Sequence, residues 1–291
     1  MMQTHRAISL LSFGADTTVQ SLRSLPEEVA IALSFNGTTQ AVMMATPADL
    51  IDFAYGFAFT EGIAAPDEIA TIEIVPVENG LDVQIWLNTD AETRLAKRRR
   101  TMAGPVGCGL CGIDSLHEAM RHIKPVPVNN FTMMPGEIMA AVAALPNAQP
   151  LHDATRAVHA AGFYTNTLLA VREDVGRHNA LDKLVGHLIR TPHSFGAVIL
   201  TSRVSIDMVQ KVAAFGASIL IAVSAPTAHA VTLADAAGIT LIAMARPDRF
   251  EAFTHTNRVS KDAANVACRA PRQIDPYGKP DRGVYGIKTA C

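Results

Sequence analysis

The chain contains no run of about 18 consecutive apolar residues, so no membrane-spanning helix is expected. Its first residues, Met1-Met2-Gln3-Thr4-His5-Arg6, lack the long apolar core of a secretory signal. Cysteine is scarce. The four present have none of the regular spacing of a disulfide scaffold, which points to a reducing compartment. These absences make a soluble cytoplasmic protein the expectation, with no membrane partner. A net charge of only −2 provides no global attraction to nucleic acid. Neither a Walker loop nor a Rossmann glycine fingerprint occurs, which excludes two common nucleotide-binding loops. Apolar residues are plentiful at 49%, and 291 residues suffice for one large domain or two modest ones.

Two of the cysteines stand together in Gly104-Pro105-Val106-Gly107-Cys108-Gly109-Leu110-Cys111-Gly112. The glycines let this backbone reach unusual conformations and lie close to a partner. Leu116, Met120 and Ile123 then recur at helical spacing, which predicts a helix from about Asp114 to Ile123. A cysteine near a helix start, just after the basic run Lys97-Arg98-Arg99-Arg100, is biased towards thiolate. Four readings of the pair are open: a reactive sulfur site, half of a zinc site, a thioredoxin-like redox pair, or an inert pair. Zinc would need a second similar pair, whereas Cys268 and Cys291 lie far apart near the C-terminus. Sulfur chemistry at Cys108 and Cys111 is the preferred reading, with no metal site.

Residues 1–24 are weakly patterned and are expected to be a flexible arm or an edge strand. Residues 25–102 read as a small α+β unit. It has strands at Val29–Phe35 and Gln40–Ala45 around an Asn36-Gly37 turn, and further strands at Ile69–Val75 and Leu81–Leu87. Thr46-Pro47 reads as a helix start and Glu61-Gly62 as its end. Residues 103–261 read as an α/β domain carrying the cysteine loop. A helix is expected over Pro135–Leu145 and a weaker helical start in His152–Gly162. Leu168–Val171 reads as a strand, and Arg172–Asn179 as the opening of a helix that continues to Ile189. Strands Ala197–Thr201, Ile219–Val223 and Thr240–Ala245 then alternate with helices Ile206–Phe215 and Thr227–Ala237. Gly216 and Gly238 fall at the helix ends. That alternation predicts a three-layer α/β unit with a mainly parallel sheet. Residues 262–291 read as a polar, poorly ordered tail.

Ligands of such sheets lie beyond the carboxyl ends of the strands. The predicted ends carry Thr201-Ser202-Arg203, Ser224-Ala225-Pro226-Thr227 and Arg246-Pro247-Asp248-Arg249. Guanidinium forks and hydroxyls suit a pyrophosphate or nucleotide, with a solvated rim of structural salt bridges as the alternative. Asp174, His178 and Asp182 lie four apart and are expected on one helix face, with Arg177 and Lys183 beside them. A histidine between two carboxylates can hold a raised pKa and move protons. The other reading is a polar cluster that fixes the helix or binds ligand.

The chain resembles the FdhD/NarQ family of formate dehydrogenase accessory sulfurtransferases over residues 25–259. The resemblance rests on Gly107–Gly112, Arg172–Lys183, Thr201–Arg203, Met208-Val209-Gln210-Lys211, and Met244–Arg249 with Thr254-His255 following. It implies a carrier that takes sulfur from a cysteine desulfurase as a cysteine persulfide. The sulfur passes to the molybdenum (or tungsten) bis(molybdopterin guanine dinucleotide) cofactor of formate dehydrogenase, bound as a substrate. On this resemblance the persulfide forms on Cys108. Two roles stay open for Cys111: attacking or relaying the persulfide, or helping its transfer from the desulfurase. The cofactor-binding stretch falls on Met244, Ala245, Arg246, Pro247, Asp248 and Arg249. Ser202, Arg203, Ser224, Thr227, Arg177 and His178 complete the cofactor-binding candidates. Met244 stands where the family has an aromatic residue. The resemblance also implies a homodimer and a fold of cytidine-deaminase-like type. Deamination itself is disfavoured, since the chain lacks the His-x-Glu that supplies a zinc ligand and proton shuttle. A cofactor-binding chaperone without covalent sulfur chemistry is the alternative function.

Overall fold

The computed structural model describes residues 2–89, 91, 93 and 123–260. Cys108, Cys111, the helix expected to start at Asp114, and the tail with Cys268 and Cys291 lie outside the described residues.

Of the flexible arm or edge strand expected for the N-terminal segment, the structure has strand, as a two-stranded hairpin over residues 5–26. Strands β1 (His5–Phe13) and β2 (Thr18–Pro26) pair antiparallel, from His5 opposite Pro26 to Phe13 opposite Thr18. The Gly14 N–H donates to the Thr17 carbonyl at 2.8 Å and closes the turn. Neither face of the hairpin is buried, so no apolar alternation marks it in the sequence.

Strands β3 (Val29–Phe35), β4 (Thr38–Ala45), β5 (Ile69–Val77) and β6 (Gly80–Leu87) make a second sheet in the order β4-β3-β6-β5. Alternate residues Ile31, Leu33 and Phe35 on β3 and Val83 and Ile85 on β6 are wholly buried against helix α1 (Leu50–Thr60). The β3–β4 turn is the expected one, with Asn36 and Gly37 both at positive φ. The helix start is not as expected. The Thr46 N–H donates to Asp174, and the Thr46 hydroxyl accepts from the Val175 N–H. Thr46 is therefore unavailable as a cap, and α1 begins at Leu50.

The largest sheet contains β7 (His159–Tyr164), β8 (Leu168–Asp174), β9 (Ala197–Leu200), β10 (Ile219–Ala222), β11 (Thr240–Arg246) and β12 (Arg249–Ala252). Their spatial order is β12-β11-β10-β9-β7-β8. It is a mixed sheet, not a mainly parallel one. Only the β9–β10 and β10–β11 pairings are parallel, while β7 runs antiparallel to both neighbours and β12 to β11. The cause is local, because β7–β8 and β11–β12 are joined by short turns that reverse the chain.

Three layers are present. Helices α4 (Arg177–Leu188), α5 (Ile206–Phe215) and α6 (Ala228–Ala236) cover the Val198, Leu200, Leu220 and Leu241 face. Helix α2 (Pro135–Ala144) covers the Ile199, Ile219, Ile221 and Ile242 face. The short helix α3 (Pro150–Thr155) precedes β7. The expected helical start in His152–Gly162 is thus a helix end followed by a strand. Residues 172–174, expected in a helix, extend β8, because Arg172, Glu173 and Asp174 pair with Ala161, Ala160 and His159.

The smaller unit is held to the larger through the crossing of α1 and α4. A Cβ on Gly56 would lie 1.7 Å from the Asp182 carbonyl oxygen, and one on Gly186 would lie 1.8 Å from that of Asp52. The two backbones therefore touch, which only glycine allows. Gly186→Ala is expected to cost about 1–3 kcal/mol by forcing the helices apart. The check is a urea titration, and an unchanged midpoint would contradict the close crossing.

Charged contacts surround that crossing. Asp52 of α1 receives Arg172 Nε at 2.7 Å and also contacts Arg190, whose guanidinium lies over the Tyr55 ring. Lys183 donates to Asp174 at 2.6 Å and to the Thr46 carbonyl at 2.9 Å, with all three residues fully buried. Lys211 donates to both Asp182 oxygens at 2.9 Å, to Glu61 at 2.8 Å and to Thr60 Oγ1 at 3.0 Å.

Candidate functional site

Strands β8 and β9 are both antiparallel to β7, so β8 runs in the same direction as β9, β10 and β11. The carboxyl ends of these four strands therefore form one rim. All twelve cofactor-binding candidates fall on it. Arg177 and His178 follow β8, Ser202 and Arg203 follow β9, Ser224 and Thr227 follow β10, and Met244–Arg249 span the end of β11 and its turn into β12.

Not all of these side chains face outwards with free donors. Arg246 donates to the Val223 carbonyl at 2.5 Å and to the Ala245 carbonyl at 2.8 Å, so it braces the ends of β10 and β11. The Thr227 hydroxyl accepts from the Ala230 N–H at 3.2 Å and caps α6. Ser202 is buried and donates to the Arg203 carbonyl at 3.0 Å. Arg249 pairs with Asp248 at 3.1 Å in the exposed turn. Arg203 is exposed. Met244 adopts φ 51°, an uncommon value for a residue with a Cβ, where the β11–β12 ladder shifts register. Its N–H donates to the Ser224 carbonyl at 3.2 Å, and its side chain is exposed.

The expected triad of Asp174, His178 and Asp182 on one helix face does not form. Asp174 ends β8 and serves Lys183, the Gly176 N–H and Asn179. Asp182 points instead to Lys211 and Thr60. His178 Nε2 meets Asp207 Oδ2 of α5. Burial is the largest influence on His178 and lowers its pKa. Arg177 and Lys211 add to that effect against Asp207 and Glu61, leaving the value at about 4. The expectation of a raised value is therefore reversed. Two further polar atoms at this spot, Arg177 Nε and Ser205 Oγ, are buried without a hydrogen-bond partner among the described residues. Ser205 and Asp207 escaped the sequence reading. Their signal was present, since a serine before a helix followed by an acidic residue in its first turn marks a helix start.

The pH consequence has a definite sign. Below pH 6.5 an unfolded histidine takes up a proton that folded His178 accepts only near pH 4. Stability is therefore lost as pH falls through that window. His178→Gln is expected to flatten this part of the stability profile, measured by urea titration at stepped pH. Parallel profiles for parent and variant would contradict the assignment.

Fold and rim together define a mixed α/β protein with several sheets, whose strand ends bring arginine, hydroxyl and histidine groups to one rim. Residues 26–260 match the model of the FdhD/NarQ family, and the chain belongs to that family. It is 51% identical over 262 residues to a sulfur carrier protein FdhD from Agrobacterium fabrum, covering 88% of this chain and 96% of that one. A protein of the same description from Cupriavidus necator is 43% identical over 267 residues, covering 90% and 92%. The fold is shared with a crystal structure described as a candidate formate dehydrogenase accessory protein from Desulfotalea psychrophila. Its TM-score is 0.70 at 24% identity, covering 89% of this chain and all of that one.

Proposed function

We propose that this chain is a sulfurtransferase for formate dehydrogenase, carrying sulfur as a persulfide on Cys108 from a cysteine desulfurase to the molybdenum bis(molybdopterin guanine dinucleotide) cofactor. The observation that carries this reading is the 51% identity, across 96% of its length, to an Agrobacterium protein named a sulfur carrier. The chemistry suits the residues. A thiolate at Cys108 attacks the outer sulfur of the donor's persulfide. The donor's S–S bond breaks and its own thiolate leaves, so sulfur moves without net oxidation. The glycines about Cys108 and Cys111 permit a loop that serves two partners in turn.

The dinucleotide is a substrate here, and the rim is its proposed seat. The buried, unpartnered Arg177 Nε and Ser205 Oγ support this, because both can donate to phosphate oxygens. Burial lowers the His178 pKa to about 4, so near neutral pH it adds no positive charge to this seat. We place the protein in the cytoplasm as a homodimer. We further take its larger sheet as a cytidine-deaminase-like scaffold turned to sulfur transfer. Among the described residues, no helix is long and apolar enough to cross a membrane.

The test is intact mass after incubation with a cysteine desulfurase and cysteine. One added sulfur atom, lost on reduction, is the expected result. A parent protein that gains none from a competent donor would overturn the transferase reading in favour of a non-covalent cofactor chaperone.

A further inference from the structure

Residues 24–93 contain twelve acidic side chains and no lysine, arginine or histidine. The rest of the chain holds all 25 basic residues and the other 15 acidic ones. Among the described residues, Glu27 meets Arg6, Asp49 and Asp52 meet Arg172, and Glu61 meets Lys211. Glu28, Asp67, Glu73 and Glu78 are exposed.

Among the described residues, helix α1 packs on one face of the smaller sheet, and on the other face Ser34 alone is buried while Val42, Met44 and Trp86 are exposed. Strand register places Val42, Ala32, Asp82 and Val75 in one row across its other face, with Ser34, Gln84 and Glu73 in the next. Met44 and Trp86 share that face at its two ends. Val42 is 61% exposed, Met44 49% and Trp86 40%. An open sheet face usually carries polar side chains. This one has a methionine, a tryptophan and a valine with carboxylates at Glu73 and Asp82 and, among the described residues, no cation of its own. Aromatic residues and methionine are enriched in protein interfaces, and charge at the rim steers encounter. The face also borders the functional rim, because the Met44 carbonyl accepts from Asn179 Nδ2 at 2.9 Å, and Asn179 adjoins His178.

We propose that this outer sheet face is the docking surface for the sulfur-donor protein, which meets it with an apolar patch ringed by lysine and arginine. The inference rests on the sulfurtransferase reading. The choice of donor follows from position. The acceptor of the cofactor must address the strand-end rim, whereas a face beside the rim stays accessible whether or not cofactor is bound. Its negative charge at Glu73 and Asp82, met by no cation among the described residues, suits a basic partner.

The test uses the full chain and a purified cysteine desulfurase from the same organism, followed by binding kinetics at several salt concentrations and by intact mass. Two variants are compared with the parent: Glu73→Lys/Glu78→Lys, and Val42→Asp, each first shown to melt like the parent. The charge variant is expected to weaken binding on the order of tenfold, mainly through slower association and with a flatter salt dependence. Val42→Asp is expected to weaken binding by faster dissociation. Sulfur loading at saturating donor should match the parent in both. Parent-like binding by both variants, with the parent itself loading normally, overturns the docking surface and leaves the sulfurtransferase reading intact. A parent that takes no sulfur overturns both. A change in solution mass of either variant would show that the face joins copies of this chain, which also overturns the proposal.

Discussion

Alanine at position 108 is expected to leave the protein unable to acquire sulfur from a desulfurase, while alanine at 111 still permits the first sulfur to load. The asymmetry follows from the chemistry. Loading needs one nucleophilic sulfur, and an alanine methyl offers no lone pair to attack the donor's outer sulfur. Serine at 108 is expected to fail as well, since a hydroxyl near neutral pH is neither ionised nor soft enough for the exchange. Cys111 acts after loading on this reading, by attacking or relaying the persulfide. Its removal should therefore alter the onward step and leave the mass gain in place. Intact mass of the three variants beside the parent reads this directly. Sulfur on Cys108→Ala but not on Cys111→Ala would move the carrier role to Cys111.

Lys211→Met is expected to be the most damaging single change to stability, at about 3–5 kcal/mol, because it strips a buried carboxylate of its counter-charge. Asp182 is 1% exposed and Lys211 7%, and the ammonium reaches both carboxylate oxygens at 2.9 Å. Burial opposes the Lys211 charge, but Asp182 and Glu61 outweigh it and hold the lysine protonated above its ordinary range. Burial already raises the Asp182 carboxyl above its ordinary value, and Lys211 restrains that rise. Without Lys211 the rise is larger. A carboxyl whose folded pKa exceeds its unfolded one gains stability as pH falls, so the deficit of Lys211→Met should shrink towards acid pH. Replacing Asp182 by Leu in the same chain should restore part of the loss, an interaction of 0.5–3 kcal/mol being about the usual span for contacting residues. Urea titrations of the two single variants and the double variant measure it. Additive losses would mean that Lys211 and Asp182 contribute separately.

The same junction links two units whose buried apolar cores are separate. Thr60 and Glu61 end α1, Asp182 lies in α4, and Lys211 lies in α5. The cluster therefore joins the small sheet's helix to two helices of the large sheet, next to the backbone contact at Gly56 and Gly186. His178 and Asp207 sit on these same two helices, one turn or less from their N-termini. A loosened junction is therefore expected to disturb the rim.

Elements governed by neighbours along the chain were legible from sequence. The Asn36-Gly37 turn, the span Ile206–Phe215 and its cap at Gly216 follow from local backbone preference and apolar spacing, and the structure has them at those positions. The motifs that carry the family resemblance were likewise readable, because they are strings of chemistry in fixed order. Strand direction was not legible, since an apolar strand reads the same whether it pairs parallel or antiparallel. Nor was the end of β8, because only pairing with His159–Ala161 makes Arg172–Asp174 extended. The charged residues show the boundary most sharply. Sequence spacing put Asp174, His178 and Asp182 on one face, but each finds its partner elsewhere, in Lys183, Asp207 and Lys211. A side chain's periodicity along the helix is set within four residues, whereas its counter-charge and its desolvation are supplied by elements brought together only by folding. The sequence by itself therefore determined the tight turn, the helix spans with local caps and the family, and it singled out the Cys108 and Cys111 pair. The tertiary structure alone decided which carboxylates are neutralised, which strands run together, and that burial lowers the His178 pKa.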